Sequence, residues 1–341
     1  MLLQIEEPVP DKPPGLPLPR TGLRPFYLLG ALAATVTVPV WIAVLLNPLP
    51  WPAPMPAVFW HAHEMVYGFA SATVIGFLLS ASRAWTSLGT TRASALVALA
   101  LLWLAGRVAL FVTPYPVYAA LDFALLPVVA VVLIRLLLMT GMLRNLPLAI
   151  IVLLLALANL VFHLSVLHWL ALPPQSALHA ALALLVLMQS VMAGRVFPGF
   201  TISAARGALR IVPLAWLDKA CLTATAAGLA SWVAAPPAWS TSTAGLLLLA
   251  ALGHAARQCG MMTRTARGHT GRNLHTGAWE ITAHGLVLLA AVVRVAQPLS
   301  PAEATTPLLM TAAAAWSAAF AICLWIYTPW LVRSRTDGRD G

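Results

Sequence analysis

PLAIIVLLLALANLVFHLSVLHW, residues 147–169, decides the fold class. Its 23 residues contain no Asp, Glu, Lys or Arg. A helix of about 20 such residues crosses the roughly 30 Å hydrocarbon layer of a bilayer. In lipid only a helix satisfies all its own backbone hydrogen bonds without a neighbouring strand. Working outward from this run, nine further apolar stretches cover 26–46, 57–81, 94–112, 117–139, 176–196, 211–234, 241–262, 276–296 and 306–331. Proline-rich breaks set several boundaries: NPLPWPAP at 47–54, LPP at 172–174 and APP at 235–237. The expected fold is all-α: a polytopic transmembrane helical bundle of about ten spans. Residues 1–25 form a cytoplasmic tail, 26–331 a single transmembrane domain and 332–341 a second cytoplasmic tail.

Composition points the same way. Hydrophobic residues make up 60% of the 341 and charged residues 9%, with a mean hydropathy of +0.86. Soluble domains carry about 25% charged residues. The net charge of +10 would suit nucleic acid in a soluble protein. Here the basic residues sit in short connectors, which excludes that reading in favour of membrane topology. The three cysteines, Cys221, Cys259 and Cys323, are scattered, form no CxxC pair and read as small packing residues. The proline-rich N-terminus lacks the basic-then-apolar layout of a cleaved signal peptide.

The charges also set orientation. With the N-terminus cytoplasmic, the even connectors and both tails hold 17 of the 20 basic residues. The opposite side has Arg107 and Arg294, while Lys219 lies within the seventh span. Such alternation predicts both termini inside. Trp51, Trp60 and Trp239 on the opposite connectors fit an interfacial aromatic belt.

Ionisable groups inside a membrane are costly and mark function. Histidines dominate them. His61, His63, His163, His168 and His179 fall near one outer layer, while His254, His269, His275 and His284 lie further in. Neutral imidazole is a common ligand for transition metals. In FWHAHEMVYGFA, residues 59–70, His61 and His63 are two apart, so about 200° apart on an ideal helix. They face one point only if that turn is irregular. His63 with Tyr67, and Glu64 with Gly68, share faces at i, i+4. Glu64 reads equally as a helix cap and as support for a metal site.

Two more motifs stand out. MAGRVFPGFT, residues 192–201, places Arg195 at the cytoplasmic interface, with Pro198 and Gly199 expected to end the helix. Arg195 is either a positive-inside anchor or a clamp for an anion or haem propionate. GMMTRTARGHTGRNL, residues 260–274, forms a short cytoplasmic loop with Arg264, His269 and Arg272. It lacks phosphate-loop spacing, which leaves a propionate, an anion or lipid headgroups as its ligands. Asp122, Asp218, Lys219 and Glu280 remain inside spans, as members of a proton path or as structural hydrogen-bond partners.

At these motifs the chain resembles the NnrS family of bacterial inner-membrane proteins. The matching strings are LRPFYLLGA at 23–31, WHAHEMVYGFASATVIGFLLSA at 60–81, ANLVFHL at 158–164, GRVFPGFT at 194–201 and MMTRTARGHTGR at 261–272. The resemblance implies a haem- and copper-associated protein of the cytoplasmic membrane, involved in nitric oxide metabolism, denitrification or protection from nitrosative stress. With it, His61 and His63, then His179, are the candidate metal or haem ligands, and His254 and His284 stand as substitutes for ligands on helices that longer members carry. Glu64, Arg24, Arg195, His269, Arg264 and Arg272 would support them. Family members look longer, with about twelve spans, and the segment between about 235 and 262 looks compressed here.

The expected partners are the bilayer, nitric oxide or a related small ligand, and a respiratory or electron-donor protein. A small-solute or metal transporter, or an accessory protein that handles haem or metal for a respiratory complex, are the alternative readings. Whether the chain is an enzyme stays open. The adjacent His-His pair of haem–copper oxidases and reductases is missing from the sequence.

Overall fold

The computed structural model of the chain describes residues 18–46, 51, 55–86, 93–204, 215–259 and 277–333. Among them there is helix and no strand. The long helices are α1 (Leu23–Leu46), α2 (Ala57–His63), α3 (Ser71–Thr86), α4 (Ala93–Val112), α5 (Tyr115–Met139), α6 (Leu146–Val166), α7 (Pro174–Ala204), α8 (Ala215–Ala234), α9 (Ser240–Cys259), α10 (Ala278–Ala296) and α11 (Thr305–Leu331). A π-helical segment, Glu64–Ala70, joins α2 to α3 without a break. Each of the ten apolar stretches is thus helical along most of its length. Eight of the helices are long and apolar enough to cross a membrane, with Ala57–Thr86 as one of them. The helices α8 and α9 are not among these eight. One opens on Asp218 and Lys219 and the other on Ser-Thr-Ser-Thr, which lowers their apolarity.

Proline does less than its soluble-protein propensity suggests. Pro39 and Pro127 lie inside α1 and α5. Nor does Pro198 end α7, as expected, since the helix continues to Ala204. A proline removes a single backbone bond, and in lipid a helix that unwound there would expose several more. By contrast, α6 ends where His168 adopts φ 57° and Trp169 N–H reaches back to the Leu164 carbonyl at 2.9 Å. The backbone turns through a left-handed residue, as many helix ends do. His168 therefore serves as a helix terminator.

The residues fall into two compact units. The first comprises Met1–Leu125, Arg135–Met142 and Gly268–Gly341, and so holds α1 to α4, both ends of α5, α10 and α11. Within it α1 packs on α3 and α11, and α10 on α11. Glycines let α1 and α3 approach. A methyl group at Gly22 would stand 2.6 Å from the Leu79 Cβ, and one at Gly76 would stand 2.9 Å from the Phe26 Cβ. Small residues permit such backbone proximity in membranes, where burial of apolar surface gives no drive between helices. Leu23 N–H donates to Ser80 Oγ at 2.8 Å, and Trp316 Nε1–H to the Ala34 carbonyl at 3.1 Å.

The second unit comprises Leu126–Ile134 and Leu143–Arg267. It pairs α6 with α7 and α8 with α9. Hydroxyls stitch the latter pair, with Ser231 Oγ and Thr243 Oγ1 2.5 Å apart.

The α1–α3 contact generates a test. Gly76→Leu should destabilise the protein by about 1–3 kcal/mol, the usual cost of overpacking, read as a lowered unfolding midpoint in detergent. Gly285→Leu, at a glycine with open space around its Cβ position, should leave that midpoint unchanged.

Candidate functional site

The segment WHAHEMVYGFA enters the first unit as one turn of α2 and then widens into the π segment. π-helical turns are rare and cluster at functional positions. The irregularity begins just after both histidines, so it does not swing them together. Their separation is that of an ordinary helix, and each meets a different element. His61 stacks on Trp41 of α1, with ring centroids 4.0 Å apart and planes within 9°. His63 turns to α5, where its Nε2 lies 3.3 Å from Asp122 Oδ2 and its Nδ1 3.4 Å from the Tyr118 hydroxyl.

The widened turn arranges the residues after His63. Glu64 lies against Gly68, where a methyl group would stand 2.7 Å from Glu64 Oε2 and 3.3 Å from Arg107 Nη1. Only glycine leaves room there for the carboxylate and the guanidinium together. The Gly68 carbonyl accepts a hydrogen bond from Trp103 Nε1–H at 3.1 Å. A second glycine lies across the pair of helices carrying Arg107 and Asp122. A methyl group at Gly106 would stand 3.3 Å from the Asp122 Cα.

Arg107 is the centre of this site. Its guanidinium donates to Glu64 Oε2 at 2.9 Å and forms an ion pair with Asp122. Glu64 Oε1 is 3.8 Å from His63 Nδ1. The side chains of His63, Glu64, Asp122 and Arg107 are 0%, 6%, 1% and 13% exposed. Tyr67 packs on the His63 ring at 4.7 Å, so the i, i+4 face read from the sequence is present. His63 is the seventh residue of α2, Asp122 the eighth of α5, and Arg107 the sixth from the end of α4. At 1.5 Å per residue all lie about 10 Å from those helix ends, in one layer.

Buried charges need compensation. Two carboxyl groups meet one guanidinium here, so a proton on one of the acids or on the imidazole, or a metal cation, completes the balance. The imidazole nitrogen and carboxylate oxygen are also a suitable donor pair for a divalent transition metal.

Several of the other candidates have ordinary partners of their own. Arg24, 4% exposed, donates to the carbonyls of Leu331 and Arg333 at 3.3 and 2.9 Å. It caps the end of α11, where the helix dipole favours a cation. Glu280 does the cap work of α10, taking the Gly277 N–H at 2.9 Å and the Tyr327 hydroxyl at 2.7 Å. The exposed His284 on α10 bonds the Glu280 carbonyl at 2.6 Å. In the second unit, exposed His179 lies 4.8 Å from the Trp232 ring. His254 Nε2 is 2.9 Å from Thr225 Oγ1. Arg195 donates to Asn145 Oδ1 at 3.1 Å. His163 is buried beside Phe162. Arg264, His269 and Arg272 lie outside the described residues.

Sequence reasoning found His63, Glu64 and Asp122 but read Arg107 only as a charge on the outer side. The signal was there. Arg107 is the sole charge in twenty residues of α4, and a lone arginine in an apolar helix needs an acid. Trp103 and Tyr118 gave no comparable signal.

Removing Arg107 tests the cluster. Arg107→Met should cost about 3–5 kcal/mol by leaving buried carboxylates uncompensated. Adding Glu64→Gln and Asp122→Asn to the same protein should recover much of that loss in detergent unfolding curves.

Comparison with known proteins gives one family. The model described as NnrS protein matches residues 17–260 and 257–335, essentially the whole chain. Curated proteins and solved structures yield no match. On that match, the chain belongs to the NnrS family.

Proposed function

We propose that the protein is a metal-binding, multi-pass membrane protein of nitric oxide metabolism or of protection against nitrosative stress. Family membership supplies the nitric oxide part. The observation that carries the metal part is the buried His63–Asp122 pair, 3.3 Å between donor atoms, inside a cluster of two carboxyl groups and one guanidinium. Tyr118 and Glu64 face the other ring nitrogen of His63, as outer partners of a ligating histidine do.

The donor set fits a copper ion, held by His63 and Asp122 and oriented by Tyr118, Glu64 and Arg107. A bound copper ion would supply one-electron exchange and a coordination position for nitric oxide, a small molecule that partitions into lipid. The chain's own work is to keep that position buried, hold the carboxylates against Arg107 and fix the imidazole orientation. The haem rests on the family resemblance alone. Among the described residues of the first unit His61, His63 and His284 face three different partners.

The topology belongs to the same reading. Ten crossings with both ends in the cytoplasm fit the alternation of basic residues, with α8 and α9 as the less apolar pair. The two matched stretches meet at 257–260, within the segment that looks compressed relative to longer members. A bacterial cytoplasmic membrane and an electron-donor protein complete the proposal.

Metal analysis of the detergent-purified protein for copper and iron, with absorption spectra of oxidised and reduced samples, tests it. Copper should be present at about one ion per chain and fall by at least about tenfold in His63→Ala and Asp122→Asn, the order expected for loss of a ligand. His284→Ala should retain full content. A folded wild-type protein free of copper and iron, or a His63→Ala protein with undiminished metal, overturns the assignment.

A further inference from the structure

Packing within the second unit brings two arginines together. The unit's stretches, residues 126–134 and 143–267, hold seven Arg and one Lys against one acid, Asp218. The unit cannot neutralise its own positive charge. Most basic residues at membrane helix ends extend into water as anchors of topology. Arg195 is held instead. Its Nη1 donates to Asn145 Oδ1 at 3.1 Å, and Asn145 is 6% exposed. A buried amide therefore fixes the guanidinium against the start of α6. Arg144 directly precedes Asn145, with Cα atoms about 3.8 Å apart, and its charge acts on Arg195.

Two like charges fixed side by side repel. Among the described residues no carboxylate pairs with either arginine, and the partner of Arg195 is a neutral amide. Asn145 is the N-cap of α6 but makes no side-chain cap bond, so the first turn of that helix adds its own partial positive charge. Both arginines are exposed, so the space beside them is open to an anion. Depth selects which anion. Arg195 is the last residue of the membrane-crossing stretch Pro174–Arg195, and Arg144 is the second residue of Leu143–Val166. The pair thus stands at the rim of the apolar layer, at the level of lipid phosphates. From there Ile150, Leu154 and Leu157, 42%, 41% and 48% exposed, form a column at i, i+4 and i+7 on α6. It starts about 7.5 Å along the axis from Asn145 and gives an acyl chain a surface to lie on.

We propose that Arg144 and Arg195, the latter held by Asn145, bind the phosphodiester headgroup of an anionic phospholipid. A guanidinium meets phosphate oxygens with two parallel donors, which adds geometric fit to charge. Basic pockets between membrane helices take such headgroups. A zwitterionic headgroup would bring its own cation to the two guanidiniums and bind less well. The site lies within the second unit, needs no metal and is independent of the His63–Asp122 pair.

Native mass spectrometry of the full-length protein, purified in a neutral detergent and stripped of lipid by exchange, tests this. Phosphatidylglycerol and phosphatidylcholine with the same acyl chains are the probes. The first phosphatidylglycerol should bind about tenfold more tightly than the first phosphatidylcholine, as expected for one charge-assisted contact. Arg144→Gln and Arg195→Gln should each bring the two lipids close to equal affinity. Asn145→Ala keeps both charges but releases Arg195, and should weaken phosphatidylglycerol alone. Arg333→Gln removes an exposed charge from the first unit and should leave both affinities unchanged. Arg144 is exposed, so its variant remains readable if Asn145→Ala fails to fold. Equal affinity of the unaltered protein for the two lipids overturns the proposal. So does a loss in Arg333→Gln as large as in Arg195→Gln, which would leave only general attraction between charges. Displacement of phosphatidylglycerol by inorganic phosphate would make the site one for a free anion and overturn the lipid assignment.

Discussion

The guanidinium of Arg107 between the carboxylates of Glu64 and Asp122 is the interaction on which the first unit's interior depends. Neither acid is stable as an anion in a helical bundle without a partner, because the surroundings screen charge poorly and offer little water. Arg107 reaches both with its planar fork, Nη1 to Glu64 and Nη2 to Asp122. The three charges arise on three elements, so pairing them fixes the mutual register of the π segment, α4 and α5. Glycine at positions 68 and 106 makes the approach possible, since any Cβ there would meet the acids or their backbone.

The π segment has a physical role in this arrangement. It widens the helix where Glu64 must lie over Gly68, and the Gly68 carbonyl finds a donor in the Trp103 indole. A regular helix gains nothing from such a donor, because its own N–H groups already take the carbonyls. The regular helical turn before the π segment leaves His61 and His63 on different faces. One histidine serves the buried ionic cluster and the other an aromatic pair with two unsatisfied nitrogens. A motif whose two histidines stand two residues apart thus serves two different neighbours.

Arg24 and Glu280 show how readily a charge at a helix end is mistaken for a cofactor support. Each sits in a membrane protein rich in histidine and arginine, yet each satisfies terminal backbone groups that would otherwise be orphaned. The helix ends are where a chain in lipid has unmet backbone donors and acceptors, so charged residues collect there for structural reasons.

The sequence by itself determined that the chain is helical and membrane-embedded, because apolar length and the positions of charges depend on lipid thickness and composition alone. It also marked His63, Glu64 and Asp122 as costly residues in the wrong solvent, and even the faces shared by His63 with Tyr67 and by Glu64 with Gly68. Those are one-dimensional facts about a single helix. Which acid meets which base is not of that kind. The role of Arg107, the turn of His61 toward Trp41 and the capping role of Arg24 required the packing of helices far apart in the chain. Arg24 and Leu331 are 307 residues apart. Only the tertiary structure decides such pairings, since helical periodicity fixes the direction of a side chain relative to its own axis and says nothing of the helix that faces it.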